Sequence, residues 1–131
     1  MVEYTKEEII QHRKDWVAAL RSGNYKQTTH YLHNNEGYCC LGVAAELAGI
    51  PYEVDENGVY TYSEVLEYED VVKRTTVLNN DGMKYYGLRE SNGRSFNNHK
   101  ETLADYNDSG MPFNDIADII ESEPEGLFIN V

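Results

Sequence analysis

The sequence predicts a small single-domain α+β fold, mainly helical, with three to four helices and one or two β-hairpins. Three stretches carry that expectation. Thr5 and Glu8 form a capping box ahead of Ile9, Trp16, Val17 and Leu20, which share one helical face. "CCLGVAAELAG" is a run of small and apolar residues closed by Gly49 and stopped by Pro51. "YEVDENGVYTYS" places aliphatic and ring residues on both sides of a turn tetrapeptide. A chain of 131 residues is long enough for one buried core. Its 40% hydrophobic and 26% charged residues fit a folded, soluble chain rather than a disordered one.

Taken in order, the first helix runs from the Thr5 cap to about Arg21, where Gly23 can end it in the left-handed conformation. Thr29, Tyr31 and Leu32 suit a short extended segment, and "NNEG" supplies turn chemistry. The helix of "CCLGVAAELAG" has side chains small enough for other elements to approach closely, which makes it the central and most buried one. Tyr52 and Val54 then face Val59, Tyr60 and Tyr62 across "DENG". Further on, "SEVLEYEDVV" reads as a helix and "RTTVL" as a strand. "NNDGMKYYGLRESNGRSF" holds two turn dipeptides, Asp81-Gly82 and Asn92-Gly93, and reads as loops around a short strand. "HKETLADYND" is a short helix ending near Gly110. Pro112 suits the first position of a last helix, with Phe113, Ile116, Ala117 and Ile120 at helical spacing and Pro124 as its stop. "GLFIN" closes the fold as a short strand or packed tail.

Charge narrows the function classes. Acidic residues number 23 against 11 basic ones, a net charge of −12. Residues 52–70 hold seven acids and no Lys or Arg, and eight more acids follow Lys100 without a base. Such a surface repels phosphate backbones, which argues against direct nucleic-acid binding and for a basic partner. No apolar run approaches the roughly 20 residues that span a bilayer. The N-terminus lacks the apolar core of a signal peptide, and two adjacent cysteines make no disulfide framework, so a reducing, cytoplasmic setting is expected. The chain also has 11 tyrosines, a residue that suits contact surfaces through its large ring and polar tip. Tyr60, Tyr62 and Tyr68, interleaved with Glu64 and Glu67, are the expected partner surface, and this hairpin is also a candidate for pairing two copies across a two-fold axis.

Two chemical constellations stand out. Cys39 and Cys40 precede a helix, a place where a thiol pKa is lowered and a nucleophile can sit, with His99 or His33 as base (His30 is a nearer alternative) and Asn107 or Asp108 to orient it. The competing reading is that both thiols are small pieces of core. A zinc site of His30, His33 and one cysteine would supply only three ligands, and neighbouring cysteines rarely face one ion. No phosphate-binding loop, dinucleotide fingerprint or calcium loop is present, so no cofactor or metal is expected. The second constellation is Arg21, Tyr25 and Gln27, with Tyr38 and Asn107: a guanidinium, rings and amides suited to a small nucleotide-like ligand. Here too the competing reading is that these residues brace a loop.

Four segments, "WVAALRSGNYKQ", "YCCLGVAAELAG", "YYGLRESNGR" and "LADYNDSGMPFNDIADIIE", occur in an order and spacing that resembles a family of small bacteriophage and prophage proteins of unassigned function. The tyrosine-rich acidic stretch at 52–70 lies outside the resemblance. What the resemblance implies is a viral or prophage origin and action in the cytoplasm of an infected bacterium. It implies no reaction and no catalytic residue. With the acidic, tyrosine-rich surface, it leads to the expectation of a non-enzymatic accessory protein that binds and blocks or sequesters a host protein or a nucleotide signal, as in counter-defence. The rival expectation is a small cysteine-dependent hydrolase or transferase.

Overall fold

The structure, a computed structural model, describes residues 3–65, 71–95 and 102–129. Helix α1 (Lys6–Arg21) starts at the capping box, in which the Thr5 hydroxyl accepts from the Glu8 amide at 3.1 Å and the Glu8 carboxylate accepts from the Thr5 amide at 2.9 Å. Its inward stripe contains Ile9, Trp16, Val17 and Leu20, and also Arg13. That guanidinium is buried because its donors are filled: Nε reaches the Tyr86 carbonyl at 2.7 Å and Nη1 the Glu123 carboxylate at 2.8 Å. It also lies 4.0 Å above the Phe128 ring.

Residues 29–32 bend instead of forming the expected extended segment, and pairing begins one residue later. Strands β1 (His33–Asn34) and β2 (Gly37–Tyr38) make the "NNEG" hairpin, with His33 opposite Tyr38. Helix α2 (Cys40–Leu47) follows, buried from Cys40 through Ala45. Gly42 makes this possible. A Cβ there would fall inside the Leu32 carbonyl, which already accepts the Cys39 amide at 3.0 Å. The Leu32 backbone therefore lies directly on the first turn of α2.

Strands β3 (Tyr52–Val54), β4 (Tyr60–Val65) and β5 (Val71–Arg74) form an antiparallel sheet in that order. The "DENG" hairpin forms as expected, and its register sets Tyr52 opposite Tyr62 and Val54 opposite Tyr60. The helix expected in "SEVLEYEDVV" is overturned at both ends, which lie in β4 and β5; residues 66–70 between them lie outside the described residues. Nor is "RTTVL" a strand. Pairing with β4 stops at Arg74, and the Thr75 carbonyl turns away to accept the Leu32 amide at 2.7 Å.

A third helix, α3 (Asn80–Tyr86), replaces the loops and short strand expected there. Asn79 caps it, its side chain accepting from the Gly82 amide at 2.9 Å, while the buried Tyr86 hydroxyl donates to the Ala44 carbonyl at 2.6 Å. Helix α4 (Leu103–Asp108) opens with a capping box of Thr102 and Asp105. In α5 (Phe113–Ser122), Pro112 is the cap and not the first helical residue. The tail takes a short bridge, with Leu88 paired to Phe128 and the Ile129 amide donating to the Gly87 carbonyl at 2.8 Å.

The fold is thus α+β and mainly helical. Five helices fall among the described residues, more than the three to four expected, since α3 was hidden in turn-like sequence. Helix α1 packs on α5, α2 and α3, and α4 joins α2 to α5, with Trp16, Leu41, Val43, Tyr86 and Ile116 in the shared core. Among the described residues, no helix is long and apolar enough to cross a membrane.

Candidate functional site

Cys39 is the N-cap of α2, its sulfur accepting from the Gly42 amide at 3.3 Å, and Cys40 opens the helix with its thiol donating to the Leu103 carbonyl at 3.5 Å. Both are buried. Burial pushes the Cys39 thiol up to about 12 and also raises the Cys40 thiol well above its ordinary value, outweighing the helix amides that pull the other way. A nucleophile needs the opposite shift, so the expected activation of Cys39 or Cys40 is overturned by desolvation. The nearby bases are also engaged elsewhere. His33 meets the Tyr62 hydroxyl at 3.4 Å through Nδ1, and His30 lies 3.5 Å from Asp108, whose carboxylate accepts the His30 amide at 2.8 Å. His99 lies outside the described residues. Among the described residues, no group of three His, Cys, Asp or Glu could hold a metal ion, and the His30–His33–cysteine set is not assembled.

The predicted ligand residues divide. Arg21 is separated from the rest by two acids of α5: it bonds Asp118 at 2.6 Å and Glu121 at 2.9 Å, and these partners hold its pKa above the ordinary value. It is not a free anion donor. Gln27 and Asn107 do meet, but they spend their amides on each other and on the backbone. Asn107 Oδ1 accepts from Gln27 at 2.9 Å and from the Cys40 amide at 3.1 Å, while its Nδ2 donates to the Thr28 carbonyl at 2.8 Å. Gln27 also donates to the Met111 carbonyl at 2.8 Å. Asn107 is completely buried. These residues brace the chain around α2, as the competing reading held.

Tyr25 and Tyr38 lead elsewhere. Tyr25 meets Tyr38 edge-on at 5.2 Å, Tyr38 stacks on His33 at 3.7 Å, and His33 stacks on Tyr60 at 3.5 Å. Tyr60 continues to Tyr52 at 4.8 Å. One file of rings thus joins part of the expected ligand site to the expected partner surface. Burial lowers the His33 pKa, which favours a neutral ring at the centre of the file. Tyr62 is corrected: at 1% exposure it is core, and burial holds its hydroxyl protonated far above the usual range. Tyr52, 45% exposed, takes its place at the surface. Its alternation with Val54 was the signal in the sequence that could have found it. Glu64 lies in β4, while Glu67 and Tyr68 lie outside the described residues.

Acids flank the outer end of the file, with Glu53, Asp55 and Glu56 all exposed on and after β3. The two hairpins touch at Gly58, which has a φ of +79° and leaves no room for a Cβ against the Asn35 side chain. Between their tips opens a polar cleft of about 660 Å³ lined by Tyr31, Asn34, Glu36, Asp55 and Val59 among others. A second cleft of similar size, between α1 and α5, runs over Ile10, Val17 and Ile120. Its Arg13 and Arg21 are already bound by Glu123, Asp118 and Glu121.

Comparison with known proteins gives a family and no closer relative. No curated protein and no solved structure matches the chain. A family model described as a domain of unknown function, DUF8296, matches residues 6–124, from the first residue of α1 to the proline beyond α5. This match takes in every helix and strand described above, and the chain belongs to the DUF8296 family.

Proposed function

We propose that this chain is a non-enzymatic accessory protein that binds and blocks or sequesters a basic host factor through the Tyr52–Tyr60 end of its ring file. The observation that carries this reading is the coincidence of an exposed ring with exposed carboxylates at β3: Tyr52 stands beside Glu53, Asp55 and Glu56, with no Lys or Arg in the same stretch. Aromatic rings give contact area at low entropic cost and stack on guanidinium groups, while carboxylates steer a basic partner and fix its register. The burial of both thiols supports a binding role over cysteine chemistry. The phage resemblance supports a bacterial host as the setting and counter-defence as the purpose. The nucleotide-ligand version loses support, because Arg21, Gln27 and Asn107 are already engaged by partners within the chain.

The test is retention from bacterial lysates by the immobilised chain and by its Glu53→Lys, Asp55→Lys variant, read by mass spectrometry. The expected result is one or a few basic proteins held by the parent chain, released by about 0.5 M salt, and absent from the variant. Nothing retained across several hosts, or the same proteins on both, would overturn the proposal.

A further inference from the structure

Strand β3 is an edge of its sheet, with β4 on one side and, among the described residues, no strand on the other. Its register decides which backbone groups the open side carries. The Asp55 amide donates to the Val59 carbonyl at 3.0 Å, and the Ser63 amide donates to the Pro51 carbonyl at 3.1 Å. Residues 51, 53 and 55 therefore point their groups toward β4, and strand alternation points the amides and carbonyls of Tyr52 and Val54 outward. The same two residues carry exposed apolar side chains on one face, at 45% and 49% exposure, and Glu53 projects from the other face. Unpaired backbone, exposed apolar surface and a carboxylate thus coincide on three consecutive residues.

We infer that β3 accepts an extended basic segment of the partner as a fourth strand. This rests on the binding reading above and adds the mode of recognition. Such a segment would offer a Lys or Arg opposite Glu53 and apolar residues opposite Tyr52 and Val54. The outward groups of those two residues would supply its main-chain hydrogen bonds, and pairing to the backbone with alternate side chains as the code is how strand addition works elsewhere.

A second copy fits the edge poorly. An antiparallel pairing centred on Glu53 sets Glu53 against Glu53, and one centred on Val54 sets Glu53 against Asp55 twice. Like charges directly opposite each other are destabilising, and each copy carries a net charge of −12. The register centred on Tyr52 avoids the clash, but only Tyr52 then contributes main-chain bonds. A basic outside strand meets neither obstacle.

The probe is a heptapeptide, acetyl-Thr-Val-Lys-Val-Arg-Val-Thr-amide, with binding followed by fluorescence anisotropy of a labelled form. Two further peptides carry backbone N-methyl groups on alternate amides, in complementary sets. One set faces β3 and should weaken binding about tenfold or more, and the other should leave it unchanged. Val54→Pro removes an outward amide while sparing the ladder to β4, a substitution an edge tolerates, and should weaken binding by a similar factor without changing the circular dichroism. No binding at about 1 mM peptide, or equal binding by both methylated sets, overturns strand addition. If Glu53→Lys abolishes binding while both methylated sets and Val54→Pro behave as the parents do, strand addition falls and the acidic-face reading stands. If Glu53→Lys changes nothing, that reading falls as well. A dimer in sedimentation that Val54→Pro dissolves would assign the edge to a second copy and overturn the inference.

Discussion

Around Cys40, the polar groups point inward and have partners: its amide, its carbonyl and its thiol are bonded to Asn107, Trp16 and Leu103. Along β3, by contrast, the amides and carbonyls of Tyr52 and Val54 face away from the sheet, and both residues are about half exposed. Thiols, imidazoles and amides make the Cys40 region conspicuous in the sequence, while the β3–β4 hairpin is marked there only by its rings and acids. The difference teaches that reactive residue types mark function only where the fold leaves them unspent. Once buried and bonded, an Asn or a Cys is structural, whereas an open edge strand keeps its backbone groups available to a partner.

Gly42→Ala puts the greatest strain on the crowded region. The new Cβ would overlap the Leu32 carbonyl, a backbone atom that cannot swing aside. Urea unfolding should show a loss of about 3 kcal/mol or more; a loss under about 1 kcal/mol would mean that segment 26–32 can withdraw at little cost. Asn107→Ala comes next. It strips the Cys40 amide and the Thr28 carbonyl of a buried partner, and the expected cost is about 2–4 kcal/mol.

Alkaline pH sharpens the contrast further. Burial holds the protons of Cys39, Cys40, Tyr62 and Tyr86 above their ordinary values, so the unfolded chain releases protons that the native chain keeps. Stability must then fall as pH rises through the unfolded thiol range, and for Cys39 the fall continues to about 12, its native value. Each buried thiol contributes a slope of about 1.4 kcal/mol per pH unit, visible as a falling urea midpoint above about pH 9. Iodoacetamide should modify neither thiol except at the rate of unfolding. Rapid alkylation in native buffer would return Cys39 to the list of nucleophiles.

The smallest expected change is on the open side. Tyr52→Ala and Glu53→Lys should each alter stability by no more than about 0.5 kcal/mol while removing partner binding. A loss of about 2 kcal/mol from either, by the same urea assay, would make β3 part of the scaffold and erase the comparison.

Elements fixed by neighbours in sequence were legible there. The Thr5–Glu8 box and the "DENG" hairpin depend on residues close together in sequence, and both stand as read. Helix α3 was not legible, because Asn79 and Gly82 offer the same side-chain-to-amide bond to a turn as to a helix cap. The choice is settled by distant residues: Ile50 packs against Gly82, and Tyr86 reaches Ala44. The candidate ligand site failed for the same reason. Arg21, Tyr25 and Gln27 are close in sequence, yet Asp118, Glu121 and Asn107, which decide their availability, are far along the chain. The file of rings was half legible, since Tyr60 was chosen for the surface and His33 was weighed only as a base or a metal ligand.

The buried Asn107 also has a kinetic meaning. Its side chain closes contacts across 67, 79 and 80 residues of chain, to Cys40, Thr28 and Gln27. None of these can form until the two halves of the sequence have met, and each carries the loop-closure entropy of a long intervening chain. The amide of Cys40 therefore exchanges with solvent only when those halves part. In a molecule whose hairpins and caps are otherwise local, this one amide reports the opening of the whole fold.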